Sequence, residues 1–397
     1  MSNYLKIVNA QIVTPYRIIQ NGTLVAKNGK IVSAGDKPVE INGATEIDAQ
    51  GLYLAPGFID LHVHGGDGHD FMDGTPEAFL AIAETHARYG TTAMYPTTLT
   101  SEKKDLLSTL DAYAIANNKN HKGAQLMGMH LEGPYFALNQ RGAQDPRYIR
   151  EPDPEEYMSV IAHSNCIKRW SAAPELKGAL PFAQYLLSKD ILPAIAHTDA
   201  IYEEVIDAFE NGYTLATHFY SGMSGVTRRN GFRYAGVIES AYLIDEMDVE
   251  VIADGVHLPA PFLQLIYKIK GADHIALVTD AMRAAGMPPG DSILGGLKHG
   301  VKVIVEDGVA KLPDRSSFAG SIATADRLLR NMLTLANVPM TEAVRMLSTT
   351  PARIMNIAAQ KGSLVEGKDA DMVLFDADIN IRKTIINGQI VYDSDTN

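Results

Sequence analysis

The sequence predicts an α/β protein: a (β/α)8 barrel of the TIM type, with a small β-sandwich-like domain built from both chain ends. Three observations carry this. From Gly57 onward, short apolar strand-like runs alternate with helix-like runs, a rhythm that builds parallel sheets. Eight strand candidates fall within roughly 250–300 residues, the size of an eight-stranded barrel. Both chain ends read instead as short strands joined by tight turns, with no helical period. A doubly wound open sheet ranks lower, because no Gly-x-Gly-x-x-Gly follows a first strand.

Taken in order, 4–10 and 11–13 read as the first strands, and 24–27 meets 30–32 across Asn28-Gly29, a strong hairpin signal. The barrel strands are expected at 58–63, 91–96, 124–130, 167–172, 192–197, 213–218, 249–253 and 274–279. A helix at 76–89 has Thr75 as N-cap, Pro76 in its first turn and Gly90 past its end. Another, 201–210, is closed by Asn211-Gly212, and two more follow the eighth strand at 321–336 and 341–348. Residues 295–317 interrupt the rhythm with a hairpin around Asp307-Gly308, read as an insertion after the eighth strand. The tail returns to strands at 371–375, 383–386 and 389–392. The expected division is 1–55 plus 356–397 for the β domain and 56–355 for the barrel.

The 397 residues are 46% hydrophobic and 21% charged, enough for a sizeable core. A net charge of −12 argues against nucleic acid or an anionic membrane as partner. Cys166 is the only cysteine, so no intramolecular disulfide forms. It reads as a buried, inert thiol. The opening residues have no basic stretch leading into a long apolar core, and no apolar run approaches the roughly 18 residues that span a bilayer. A cytoplasmic location is expected.

In a barrel, functional groups collect at the C-terminal ends of the strands. His62 and His64 end the first strand, two apart and therefore on one face. Glu132 follows the third, His197 and His218 end the fifth and sixth, and Asp280 ends the eighth. Alone, each has a plainer reading: a core histidine, a helix-terminus anion, an N-cap. Five of eight strand ends carrying a ligand-type residue is poorly explained by chance. Four imidazoles and two carboxylates suit zinc, iron or manganese. His130 reads as a satisfied core histidine, His69 and His86 as structural, and His121, His163, His274 and His299 as solvated.

The run 58–66 with the later His, His and Asp resembles the amidohydrolase superfamily. So does the tail, in Thr350-Pro351-Ala352-Arg353-Ile354 and the stretch 362–373. Leu131-Glu132-Gly133-Pro134-Tyr135, Ala253-Asp254-Gly255-Val256-His257 and Val278-Thr279-Asp280-Ala281-Met282 resemble its N-acetylglucosamine-6-phosphate deacetylase family. The resemblance covers essentially the whole chain. It implies one or two divalent metals per subunit. His62 and His64 would hold one, Glu132 would bridge, and His197 and His218 would hold the other. It implies Asp280 as general base and acid, and His257 as a contact to the substrate carbonyl. Gln144, Ser221, Gly222, Phe318 and Ala319 would line the sugar phosphate. An arginine from a neighbouring subunit would complete the phosphate site in a homodimer; Arg229 aligns best, with Arg228 adjacent and Arg233 close by.

The implied reaction is removal of the acetyl group from N-acetylglucosamine 6-phosphate. Two departures bear on the sugar. Ser221-Gly222-Met223 stands where the family has Asn-Ala-Met, and Gln144 stands where some members carry His. N-acetylgalactosamine 6-phosphate or another N-acyl amino sugar is the alternative. A cyclic-amide hydrolase is disfavoured, because Lys168 lies at the start of the fourth strand rather than its end. A metal-free scaffold ranks last, since every expected ligand is present.

Overall fold

The computed structural model describes residues 4–396. Strands from the two chain ends share one sheet, in the order Gln389–Asp393, Ile381–Ile386, Met372–Phe375, Tyr53–Pro56, Tyr4–Val13, Ile18–Lys27 and Lys30–Gly35. Thr45–Asp48 also pairs with Tyr4–Val13. The junction is antiparallel, Met372 opposite Pro56 and Phe375 opposite Tyr53. One face buries Ile7, Ile12, Leu24, Leu54, Leu374 and Ile385 as a core of its own. The two strands expected at 4–10 and 11–13 are a single strand, Tyr4–Val13, irregular in register near Ala10.

The middle of the chain forms parallel sheets. Phe58–Val63, Thr91–Pro96 and Gln125–Leu126 make one. Met129–Glu132, Ile167–Ala172, Leu192–Ile195, Leu215–Ala216, Asp248–Val251 and Ile275–Leu277 make the other, curled sheet. Parallel bridges join them at both edges: Thr97 with His130, and Val63 with Ala281. All six residues of Phe58–Val63 are buried, as expected of a strand covered on both faces. Helices pack against these strands, and Thr75 caps Pro76–Ala87 by accepting a hydrogen bond from the Ala78 N–H at 3.3 Å.

Several strands stop short of their expected ends. The third is broken at Gly128, whose φ is +130°. A Cβ there would lie 2.3 Å from the Lys168 side chain. The fifth, sixth and eighth end early because His197, His218 and Asp280 take left-handed backbone, with φ of 48°, 31° and 47°. Non-glycine residues pay of order 1–3 kcal/mol for such backbone, which clusters at functional sites. The insertion has a third strand, Gly290–Leu294, ahead of the expected hairpin Val301–Glu306 and Val309–Lys311. Leu294, Val303 and Val305 anchor it on Met282 and Ala319.

Two of the histidines expected to be solvated also meet an acid: His163 is exposed as expected, and His274 is half-buried. His163 ends the helix Pro154–His163 and its Nε2 lies 2.8 Å from Asp111. His274 Nδ1 lies 3.0 Å from the buried Asp248. His121 and His299 are exposed. His86 is buried, with Nε2 3.0 Å from the Gly65 carbonyl. Cys166 is buried beside Ser164, and burial pushes its thiol pKa up. No helix among the described residues is long and apolar enough to cross a membrane.

Candidate metal centre and active site

Period-two alternation sends His62 and His64 to one face, with their Nε2 atoms 3.1 Å apart. The chain then needs Gly65, where a Cβ would sit 2.3 Å from the His69 carbonyl. Glu132 faces both histidine pairs. Its Oε1 lies 2.9 Å from His218 Nε2, 3.3 Å from His197 Nε2 and 3.6 Å from His62 Nε2; its Oε2 lies 3.5 Å from His64 Nε2. Asp280 Oδ1 lies 3.2 Å from His64 Nε2 and 3.5 Å from His62 Nε2. Two buried triads result, His62–His64–Glu132 and Glu132–His197–His218, each with its ligand atoms within 4.8 Å of one another.

The outer nitrogens of three of these rings are already engaged. His62 Nδ1 faces Glu250 at 3.3 Å, His64 Nδ1 faces the Thr97 carbonyl at 3.2 Å, and His197 Nδ1 faces the Gln140 carbonyl at 2.7 Å. A ring that donates through Nδ1 presents the Nε2 lone pair, the form a metal ligand needs. The donor set is mixed nitrogen and oxygen, buried and convergent, and it fits a divalent cation.

The electrostatics follow from crowding opposite charges. Burial raises the Glu132 carboxyl, but His62, His197 and His218 outweigh it and hold it well below the usual carboxylate range. Burial likewise opposes ionisation of Asp280, yet His62 and His64 bring it below its ordinary value. Burial would lower His64, but Asp280 and Glu132 raise it to about 9. His130 stays out of the cluster. Burial, then Arg169, push it well below its ordinary pKa, and its ring is satisfied by Ser171 at 2.7 Å and Thr97 at 3.2 Å.

A cavity of about 550 Å³ opens over these groups. His257, Gln144, Ser221, Gly222 and Phe318 line it. His257 is held by Asp254, whose Oδ2 lies 2.7 Å from its Nδ1, and the His257 ring packs on Phe318 with centroids 4.7 Å apart. Gln144 is not free for a ligand: its Nε2 donates to Glu132 Oε2 at 2.7 Å and its Oε1 accepts from the Thr100 N–H at 2.9 Å. Ala319 does not line the cavity; it is fully buried and bonded to the Ala310 carbonyl. Arg228, Arg229 and Arg233 sit on an exposed hairpin, Thr227–Arg229 against Phe232–Tyr234, and none lines this chain's own cavity. The lining cations are Lys311 and Arg315 on the insertion, paired with Asp307 at 2.6 Å and Glu306 at 3.2 Å.

The sequence reading also missed buried acids and a base beneath the centre. Asp60 accepts from Thr279 Oγ1 at 2.5 Å and ties the first strand to the eighth; burial raises its pKa to about 7. Glu250 sits between Arg169 and His62. Asp60 is the one acid in the apolar run 58–63, and that was the available signal; Glu250 and Arg169 stand beside other charges, Asp248 and Lys168, and do not stand out.

Comparison with known proteins agrees along the whole chain. The amidohydrolase family model matches residues 53–391. An N-acetylglucosamine-6-phosphate deacetylase of Lysinibacillus sphaericus is 35% identical over 368 residues, 92% of each chain. An N-acetylgalactosamine-6-phosphate deacetylase of Escherichia coli O157:H7 is 34% identical over 360 residues, 90% of this chain and 92% of the relative. Among solved structures, a mutant N-acetyl-D-glucosamine-6-phosphate deacetylase from Mycobacterium smegmatis, in complex with N-acetyl-D-glucosamine 6-phosphate, matches with TM-score 0.89. It is 27% identical and the match covers 98% of this chain and 99% of that one. The chain belongs to the amidohydrolase family, in its N-acetylglucosamine-6-phosphate deacetylase branch.

Proposed function

We propose that this chain is a metal-dependent hydrolase that converts N-acetylglucosamine 6-phosphate and water into glucosamine 6-phosphate and acetate. The observation that carries the reading is the convergence of two histidine pairs on the single carboxylate of Glu132, with Asp280 3.2 Å from His64. His62, His64 and Glu132 would hold one divalent ion, and Glu132, His197 and His218 a second; zinc, iron and manganese all suit these donors. Such ions polarise a carbonyl and lower the pKa of water from about 15.7 to about 7.

The chain's own groups supply the rest. Asp280 takes the proton from water as the oxygen adds to the acyl carbon, and returns it to the nitrogen as the C–N bond breaks. His257, oriented by Asp254, faces the acyl oxygen and stabilises the charge that develops there. Ser221 and Gly222, at the cavity wall, would meet the phosphate, with Arg229 of the partner subunit or the adjacent Arg228. The phosphate does not react. It fixes the acetamide over the centre, a positioning effect. The homodimer in this reading is supported by the exposed Val226 and Phe232 beside those arginines, 59% and 73% accessible.

The same reading takes the parallel strands of 56–355 as one closed eight-stranded barrel and 1–55 with 356–397 as the small β domain. It assigns the protein to the cytoplasm, in keeping with a single unpaired cysteine. A second sugar stays in view. A relative named for N-acetylgalactosamine 6-phosphate is nearly as similar, and Ser221-Gly222 departs from the family's Asn-Ala. The test offers both phosphorylated sugars and both unphosphorylated sugars to the metal-loaded protein and measures acetate. Preference for N-acetylglucosamine 6-phosphate supports the reading, and preference for the galacto sugar replaces it.

A further inference from the structure

Beneath the proposed metal centre lies a buried ion pair that the reaction itself does not use. Arg169 and Glu250 are both fully buried, and the guanidinium Nη1 donates to Glu250 Oε1. Arg169 Nη2 donates to Thr217 Oγ1 at 2.7 Å. The other carboxylate oxygen, Oε2, looks upward. It lies 3.3 Å from His62 Nδ1 and accepts the His218 backbone N–H at 3.3 Å. One carboxylate thus touches a ligand-type residue from each triad.

We propose that Glu250 is a positioning residue for His62, fixing the ring so that Nε2 is the ligand nitrogen and making the His62–His64–Glu132 subsite able to hold a second divalent ion. This rests on the two-ion reading given above. Glu250 must accept on both oxygens at once: from the Arg169 cation on one side, and from His62 Nδ1–H and the His218 N–H on the other. A glutamine has one oxygen for these two duties. The buried guanidinium would claim it, since an unpaired buried charge is the costlier defect. The amide NH2 would then point at His62 Nδ1. That contact is relieved when Nδ1 carries the lone pair and Nε2 the proton, the wrong tautomer for a ligand. Arg169 also explains why an acid can sit there at all, because a lone buried carboxylate would not stay charged.

The test counts metal rather than turnover. Apo-protein is saturated with zinc, desalted, and its zinc per subunit is measured; competition with a chromogenic chelator gives the affinity of each ion. The expected result is two ions in the wild type and one in Glu250→Gln, or a second ion bound about 10- to 100-fold more weakly. Glu250→Gln leaves the buried Arg169 charge without a counter-charge and risks failing to fold. A second variant, Arg169→Met/Glu250→Leu, removes both charges at similar volume, an exchange that folded proteins often tolerate. If Glu250 served only to neutralise Arg169, that double variant would hold two ions like the wild type, and the proposal would be overturned. Two ions of unchanged affinity in Glu250→Gln overturn it equally. A wild type that holds one ion refutes the two-ion reading itself and, with it, the role given to Glu250.

Discussion

Replacing Asp254 by asparagine isolates the hydrogen bond that orients His257. The Asp254 carboxylate is buried and makes three bonds: Oδ1 accepts from the Val256 and His257 N–H groups, each at 2.8 Å, and Oδ2 lies 2.7 Å from His257 Nδ1. Burial raises its pKa, but the bond to His257 outweighs it and holds the acid below the usual range. Asparagine keeps the two backbone bonds through its oxygen and has nearly the same volume, so the loop should stay folded. What it loses is the charged acceptor opposite Nδ1. A hydrogen bond to a charged group is worth about 1.5–3 kcal/mol, which in a rate is roughly 10- to 150-fold. The effect should fall on kcat rather than KM, because the bond serves the charge that forms in the transition state. Acetate release from N-acetylglucosamine 6-phosphate under steady-state conditions reads it, with thermal unfolding as a check on the fold. A variant within twofold of wild-type kcat would show that Asp254 does not act through His257.

Three further outcomes follow from the same geometry. Asp280→Asn should retain bound metal and fold but lose about 10²- to 10⁴-fold in kcat; a near-wild-type rate would remove Asp280 as the base. Arg229→Ala should raise KM for the phosphorylated sugar by about 10-fold or more, the worth of a charge-assisted contact, while leaving the slow reaction of the unphosphorylated sugar alone; equal effects on both would end its phosphate role. Lys361 is buried in the β-rich end region, with its Nζ 2.9 Å from Asp369 and bonded to Asp371. Lys361→Met should lower the unfolding free energy by about 3–5 kcal/mol, because it strands a buried carboxylate; a shift below about 1 kcal/mol in urea unfolding, the size of an exposed pair, would contradict the burial argument.

What the sequence disclosed, and what it did not, divides along physical lines. Strand periodicity put His62 and His64 on one face, and the apolar runs located the parallel strands, so the ligand-type side chains were legible before any geometry. The exact strand ends were not. His197, His218 and Asp280 leave the strand through left-handed backbone; His and Asp adopt it more readily than most residues, but that preference does not fix where a strand stops. Gly128 breaks a run that reads as continuous because its neighbours are apolar. Glu250 and Arg169 were invisible for a different reason. Each neighbours another charge, Asp248 or Lys168, so neither stands out, and only the fold brings these two residues together across 81 positions. Gln144 was recognised as near the ligand, yet its partner turned out to be Glu132. The family resemblance singled out the arginines at 228, 229 and 233, but their placement on a hairpin that does not line this chain's own cavity is a tertiary fact.

The most direct test of the central claim is acetate and glucosamine 6-phosphate produced from N-acetylglucosamine 6-phosphate by the metal-loaded protein, before chelation, after it, and after metal is restored. The account predicts equal amounts of the two products, loss of turnover on chelation without unfolding, and recovery when the ion returns. Turnover that survives complete removal of metal, or metal-loaded protein that releases no acetate from this sugar, would contradict it.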